Sequence, residues 1–478
     1  MPSAATSLLT HPATELAELL RSGQARSREL VEAALDRIAA MEALNAFTLV
    51  DAEGALAAAD AIQPDDPRPF AGVPIAIKEL QPVAGQPLTM GSDLYGDYRS
   101  DADAYVVRRL REAGFVLIGR TSAPEFGILP VTEPRRFGPT RNPWNLDHTP
   151  GGSSGGAAAA VAGGILPVAH GSDGAGSIRV PAACCGLVGL KPSRGRISSG
   201  PDLGDNFLST NAALTRTVQD TARLLDIMAG YEPGDATWAP PPPEPFAVAA
   251  TCAPGTLRIG LVTESPLGTA IDPACVQAAR DAAKLLESLG HRVEEVTPPY
   301  WDQQPLIPIF MTLYAAGVAN GVKFGALIRQ RPPVAEDVEP LTWAFCQLAA
   351  TQTGDDLLGA TTRLQGHARR MVGWMAATYD LLLTPALGQR PPRIGEIDGC
   401  AAEPMGSFQQ AMAFSPFTAI WNVTGQPAIS LPLYQGEDGL PLSVQFVGQP
   451  LGEAALLALA SQLETAAPWA DRLAPAVG

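Results

Sequence analysis

Residues 72–119, GVPIAIKELQPVAGQPLTMGSDLYGDYRSDADAYVVRRLREAGFVLIG, decide the fold class of this 478-residue chain. In GVPIAIK, Val73, Ile75 and Ile77 alternate with Pro74, Ala76 and Lys78. This is the period-two pattern of a strand that ends at Lys78, with the lysine on the face opposite the branched residues. Helical periodicity from Asp101 to Ala113 stops at Gly114, and FVLIG (115–119) then reads as a short, buried parallel strand. The same rhythm returns in LRIGLV (257–262), in a helix with Asp272 as N-cap and Pro273 at its first position, and in HRVEEV (291–296). PAISLPL (427–433) and LSVQFVG (442–448) flank a connection containing Gly, Asp and Pro, which predicts an antiparallel hairpin. The expected fold is therefore α/β, a mixed central β-sheet covered on both faces by helices.

Outward from this core, residues 13–62 carry helical periodicity in three segments, ATELAELLRSG, SRELVEAALDRIAAME with Ser27 as N-cap, and DAEGALAAADAI. The stretch YEPGDATWAPPPPEPFAVAATCAPG (231–255) is too rich in proline and glycine to continue a helix or a central strand. The expected organisation is a helical segment over 1–70 packed on a core unit over 71–230. A linker or surface excursion follows over 231–256, and 257–478 complete the same α/β domain with substrate-lining helices. No tandem repeat interrupts this plan.

Composition narrows the function. The chain is 46% hydrophobic and 17% charged, a soluble globular balance rather than a disordered or integral membrane one. With 33 basic and 49 acidic residues the net charge is −16, which disfavours phosphate-backbone binding, so no nucleic-acid partner is expected. Cys184, Cys185, Cys252, Cys275, Cys346 and Cys400 show neither C-x-x-C spacing nor an H-E-x-x-H companion, so no disulfide framework, metal or cofactor is implied. The opening residues lack a basic segment leading into an apolar one, and no run of about 18 apolar residues occurs. A cytoplasmic protein without a membrane partner is expected.

Chemistry concentrates in Thr149–Arg179, TPGGSSGGAAAAVAGGILPVAHGSDGAGSIR. Such a glycine-rich run can aim several backbone N–H groups at one anionic point. A phosphate loop would need G-K-[ST] or a strict G-x-G-x-x-G after a strand, and neither is present. Gly151, Ser153 and Gly155 satisfy the G-x-S-x-G of a serine-hydrolase elbow. That motif also needs a preceding strand and a downstream histidine, and His170, His291 and His367 lie in no catalytic context. A third reading makes a lysine the base. The chain has only four lysines (Lys78, Lys191, Lys284, Lys323) among its 33 basic residues, so a lysine kept in an apolar strand invites a specific explanation. A buried lysine can lose its proton near neutral pH and accept one from a hydroxyl, which arginine cannot. Pairing of Lys78 with Glu79 or Asp173 is the plainer alternative.

GVPIAIK, GRTSAPEFG (119–127), GGSSGG (151–156) and GSDGAGSIRVPAACCGLVGLKPSRGR (171–196), in that order and at these separations, resemble the amidase signature family. Weaker similarity extends through DLLLTPALGQRPPRIG (380–395) and NVTGQPAISLPL (422–433). The resemblance implies a Ser–cis-Ser–Lys triad with Lys78 as base, Ser153 as bridging serine after a cis peptide bond, and Ser177 as nucleophile. It also implies an oxyanion site from the backbone N–H groups of Gly174, Ala175, Gly176 and Ser177, and a supporting place for Ser154. Asp173 and Arg179 bracket the nucleophile as a structural ion pair, and Cys184 and Cys185 read as packing. Two positions depart from the family. Gly174-Ala175-Gly176 stands where Thr-Gly-Gly is common, and its alanine Cβ opposes a positive φ. Glu79 stands where aspartate commonly follows the lysine.

GILPVTEP (127–134) with the stretch after Ser177 looks most like the branch that includes 6-aminohexanoate cyclic dimer hydrolases and related bacterial amidases. The expected activity is hydrolysis of small linear or cyclic amides, nylon-oligomer-like or aryl amides among them, with side activity on esters and carbamates. Residues 300–346 (Trp301, Phe310, Trp343, Phe345) and 405–422 (Phe408, Phe414, Phe417, Trp421) are the candidate pocket segments. The alternatives are the glutaminase subunit of a tRNA-dependent amidotransferase and a catalytically silent binding protein on the same fold. The partners expected are an amide and water, and the N-terminal helices could pair two copies into a homodimer.

Overall fold

The computed structural model describes residues 8–201, 204 and 207–475. Its strands are β1 (Phe47–Val50), β2 (Pro74–Lys78), β3 (Val116–Thr121), β4 (Val168–Asp173), β5 (Val188–Lys191), β6 (Thr210–Thr215), β7 (Arg258–Leu261), β8 (Arg292–Glu295), β9 (Leu381–Pro385), β10 (Ala428–Gln435) and β11 (Pro441–Val447). Eight of them form one mixed sheet in the order β4-β6-β5-β10-β11-β9-β7-β8. Parallel pairing is confined to β9-β7-β8, and the predicted hairpin is the antiparallel pair β10-β11. Every residue of β4, β5, β6, β9 and β11 is buried, so both faces of the sheet are covered. Helices Pro273–Ser288 and Glu453–Ala466 pack against it. One contiguous hydrophobic core runs from Leu9 to Trp469.

The segment that sets the fold class has its own small sheet. β2 pairs parallel with β3 across the helix Tyr105–Glu112, as the βαβ pattern predicts, and β1 adds to β3 antiparallel. β1 was hidden because its four residues, FTLV, are too few to show a period. Two cap readings came out differently. Asp272 caps its helix by accepting from the Ala274 N–H at 2.8 Å. Ser27 instead opens the second helix, and its hydroxyl donates to Gly72 O at 3.0 Å, so a long-range acceptor takes the group that was expected to cap.

The helix Gly155–Ala162 (GGAAAAVA) is buried at every residue, so it needs no polar face. Its small side chains let it sit hard against the first sheet: a Cβ on Gly156 would stand 2.4 Å from Ser122 N and 2.5 Å from Ala46 O. Those are backbone atoms that cannot step aside. This contact fixes the loop before the helix relative to β2 and β3. Gly156→Ala is therefore expected to destabilise the fold by about 2 kcal/mol or more through overpacking. Denaturant unfolding checks this, and a variant within about 0.5 kcal/mol of the parent would contradict it.

Candidate active site

Lys78, the last residue of β2, is fully buried. Its Nζ lies 2.7 Å from Ser153 Oγ, 3.0 Å from Ser172 Oγ and 3.2 Å from Ser172 O. Burial pushes its ammonium down from 10.5 to about 7, while the Asp173 carboxylate acts in the opposite direction. Among the described residues no carboxylate pairs with it directly. Glu79, its neighbour, turns its carboxylate to Thr48 Oγ1 at 2.6 Å and to Thr89 N and Oγ1 at 2.8 and 2.7 Å. An amine in this state is present in both forms near neutrality, and the neutral one can accept a proton.

Ser153 follows a cis peptide bond at Gly152-Ser153. Ser154 points elsewhere: its Oγ donates to Ser172 O at 3.2 Å and accepts from Ser172 N at 3.3 Å, tying the loop to β4. Its N–H donates to Ser177 O at 3.2 Å, which ties the same loop to the segment carrying Ser177. Ser177 is half-buried and lines the cavity beside the Gly152 backbone. Among the described residues its Oγ has no hydrogen-bond partner, so no Ser153–Ser177 hydrogen bond is formed in this geometry.

The loop Gly174–Ser177 joins β4 to the helix Arg179–Cys185 and is shaped by Asp173. That carboxylate accepts from Gly176 N at 2.7 Å and Ile178 N at 3.2 Å, and pairs with Arg179 Nη2 at 2.9 Å, both side chains fully buried. Burial alone would raise the Asp173 pKa, but the Arg179 guanidinium and its hydrogen bonds hold it well below the usual carboxylate range. Positive φ falls on Gly176 (132°), and Ala175 is not among the positive-φ residues, so the alanine in this loop meets no steric objection. The Gly176 N–H, one of the expected oxyanion donors, is already committed to Asp173. Gly174, Ala175 and Ser177 keep N–H groups without partners among the described residues.

Two further segments hold the site, through residues that the sequence reading did not single out. Arg179 also donates to Thr418 O (3.0 Å), Gln445 Oε1 (2.8 Å) and Asn422 Oδ1 (2.6 Å), and Asn422 Nδ2 returns a bond to Asp173 at 2.9 Å. Thr418 Oγ1 donates to Ala175 O at 2.6 Å. Ser172 was passed over because its only signal was its place beside Asp173. Arg120, fully buried, donates to the carbonyls of Glu79 (3.0 Å) and Pro87 (2.9 Å), and so braces the turn after Lys78.

The cavity is walled by Ile128, Leu129 and Pro130, by Leu306, Ile307, Phe310 and Tyr314, and by Phe408, Met412, Ile420 and Val423. Among the described residues no Asp, Glu, Lys or Arg lines it. Of the aromatic candidates only Phe310 and Phe408 reach it. Trp301, Phe345, Phe414, Phe417 and Trp421 are core, and Trp343 packs beside Leu94 and Tyr95. One helix, Gln304–Arg329, has the length and mean hydropathy (1.4) that would suffice for a membrane span, and its first turns form this wall. The elbow reading has no support: no strand leads into Ser153, and no histidine bonds either serine. His170 is kept neutral in β4, burial and the nearby Lys78 pushing its pKa to about 3. His291 and His367 bond Gln462 and Gln303.

With this geometry in place, comparison with known proteins is informative. The sequence profile of the Amidase family matches residues 29–457. The chain is 40% identical to the 6-aminohexanoate-cyclic-dimer hydrolase of Paenarthrobacter ureafaciens over 97% of its own length and 96% of the relative's. The solved structure of a 6-aminohexanoate cyclic dimer hydrolase complexed with substrate superposes with a TM-score of 0.94 at 39% identity, covering 98% of this chain and 100% of that one. A bacterial aryl acylamidase of the amidase signature enzymes gives 0.87 at 27% identity, over 98% and 99% of the two chains. A family match over most of the chain, close relatives along its whole length and the shared fold lead to one conclusion: this protein belongs to the amidase signature family of hydrolases.

Proposed function

We propose that this amidase hydrolyses small, uncharged, largely apolar amides, linear or cyclic, through an acyl-enzyme on Ser177. The observation that carries the reading is the buried Lys78 amine, 2.7 Å from Ser153 Oγ, beside an apolar cavity that presents Ser177. Neutral Lys78 takes the proton of Ser153 as Ser153 takes that of Ser177, and the Ser177 oxygen attacks the amide carbonyl. The oxyanion that forms is met by the free N–H groups of the nucleophile loop, Ala175 and Ser177 being the two that line the cavity. Such donors are worth about 3 kcal/mol each at the transition state. Run backwards, the relay protonates the departing amine, and water then releases the acyl group by the same route.

The charge-free wall supports a neutral substrate. The cyclic dimer named for the relatives is an uncharged ring with two amide bonds, and that chemistry suits this cavity. A glutaminase site would need partners for an α-ammonium and an α-carboxylate, and among the described residues the lining offers no charged side chain to either. Esters that fit are expected side substrates, since they lack the nitrogen resonance of an amide and carry an oxygen leaving group; carbamates that fit share that leaving group but keep a nitrogen on the carbonyl, and are expected to react more slowly than esters.

Ser177→Ala is expected to lower kcat on a cyclic or aryl amide by about 10⁴-fold or more, and Ser153→Ala and Lys78→Ala by about 10²- to 10⁴-fold. Intact-mass analysis during turnover of a slow ester should show an acyl adduct that Ser177→Ala abolishes. Near-normal turnover by Ser177→Ala with none by Ser153→Ala would return the nucleophile to the elbow serine.

The acid limb gives a second check. Lys78 must be neutral to act, and its ammonium loses the proton at about pH 7. The value of kcat/KM should therefore climb about tenfold per pH unit below that point and level off above it. A flat profile between about pH 5 and 9 would exclude a base of this kind.

A further inference from the structure

Gln303 stands just before the helix Ile307–Arg329 and is one of the few polar side chains on the cavity wall; only 9% of it is exposed. Its amide nitrogen is fixed from three sides. Nε2 lies 2.9 Å from Tyr300 O, 3.2 Å from Trp301 O and 3.1 Å from His367 Nε2. The two carbonyl oxygens can only accept, so a flipped amide would set oxygen against oxygen. His367 meets the nitrogen as a neutral, accepting imidazole; burial lowers its pKa, and the charge of Arg370 adds to that. The orientation is thus determined: Nε2 faces the protein, and Oε1 is left over. Among the described residues Oε1 has no hydrogen-bond partner.

The other polar side chains of the wall are differently engaged. The Tyr314 hydroxyl donates to Ile128 O at 2.7 Å, and Ser415 Oγ donates to Ala411 O at 3.2 Å. Ser177 is the proposed nucleophile. Gln303 Oε1 is therefore a fixed, uncharged acceptor in an otherwise apolar chamber, and leaving it unpaired when water is expelled is costly.

We propose that Gln303 is a specificity-determining residue whose carbonyl accepts a hydrogen bond from a second N–H of the substrate, away from the bond being cut, so that the site favours diamides over monoamides. This rests on the amidase reading of the cavity given above and deepens it by naming the substrate class. The selectivity comes from an acceptor left unpaired by the wrong substrate, the arrangement by which a polar group rejects an analogue that lacks its partner.

The test compares two uncharged substrates of the same shape. One is the cyclic diamide of 6-aminohexanoate, and the other is its keto analogue, in which CH₂ replaces one amide N–H and leaves a single cleavable amide. Wild-type enzyme is expected to prefer the diamide by about 5- to 10-fold in kcat/KM, mostly through KM, after correction for the two equivalent bonds. In Gln303→Met, similar in length but without the carbonyl, the preference, read as the ratio of the two kcat/KM values within the same variant, should fall to within about twofold. Equal use of both substrates by the wild type, or a preference that persists in Gln303→Met, would overturn the assignment and leave the amidase reading standing. If neither substrate is cleaved by wild type, both fall together. Should Gln303→Met fail to fold, the wild-type comparison decides alone, and there the absence of a preference overturns the assignment.

Discussion

Everything at this site depends on keeping one amine out of water. An ammonium buried without acceptors would be prohibitively unstable, and Lys78 is given three: Ser153 Oγ, Ser172 Oγ and Ser172 O. They satisfy the charged form well enough for it to persist near neutrality, yet they include no carboxylate to hold the proton there. In the neutral form one of the three contacts must face the lone pair. A carbonyl oxygen cannot donate to it, so the lone pair is directed at a hydroxyl, and Ser153 is the nearest. In the proposed relay, geometry rather than an intrinsically strong base would give the proton its direction.

That geometry is assembled from distant parts of the chain. Lys78 comes from the small sheet, Ser153 from a loop pressed against that sheet by an all-buried helix, and Ser172 and Ser177 from β4 and the turn after it. Asp173 and Arg179 hold the turn, and residues 418–422 and Gln445 complete their hydrogen bonds. A buried ion pair of this kind is weak evidence of net stability, but losing either partner would strand the other's charge. Its value here lies in fixing which backbone N–H groups remain free. Gly176 donates to Asp173, and Gly174, Ala175 and Ser177 keep N–H groups without partners among the described residues.

Much of this was legible in the sequence, for reasons that can be named. β2 and β3 declare themselves by alternation and by the helix between them, and the glycine-rich run from Thr149 to Arg179 has the permissive backbone that close approach requires. What was hidden depends on pairing across long separations. Ser27 has the right residue type for a cap, but Gly72 O offers its hydroxyl a better partner. Gln445 reads as an ordinary strand residue until Arg179 is seen beside it, and Asn422 lies in a stretch whose family likeness signals importance without saying why. The aromatic candidates show the limit most clearly. Phe310 and Phe408 reach the cavity while Phe345 and Trp421, equally apolar, are consumed by the core, a distinction that period and composition do not encode.

The central claim is a statement about one nitrogen, and it can be measured without turnover. With four lysines in the chain, ¹⁵N- or ¹³C-lysine labelling gives a spectrum simple enough to assign, with Lys78→Met identifying the resonance. Lys191 is also buried and held near 7, so the variant is needed to tell the two apart. The structure predicts that the Lys78 signal titrates at about 7. A Lys78 that remains an ammonium to about pH 10, as in an exposed side chain, would contradict the account.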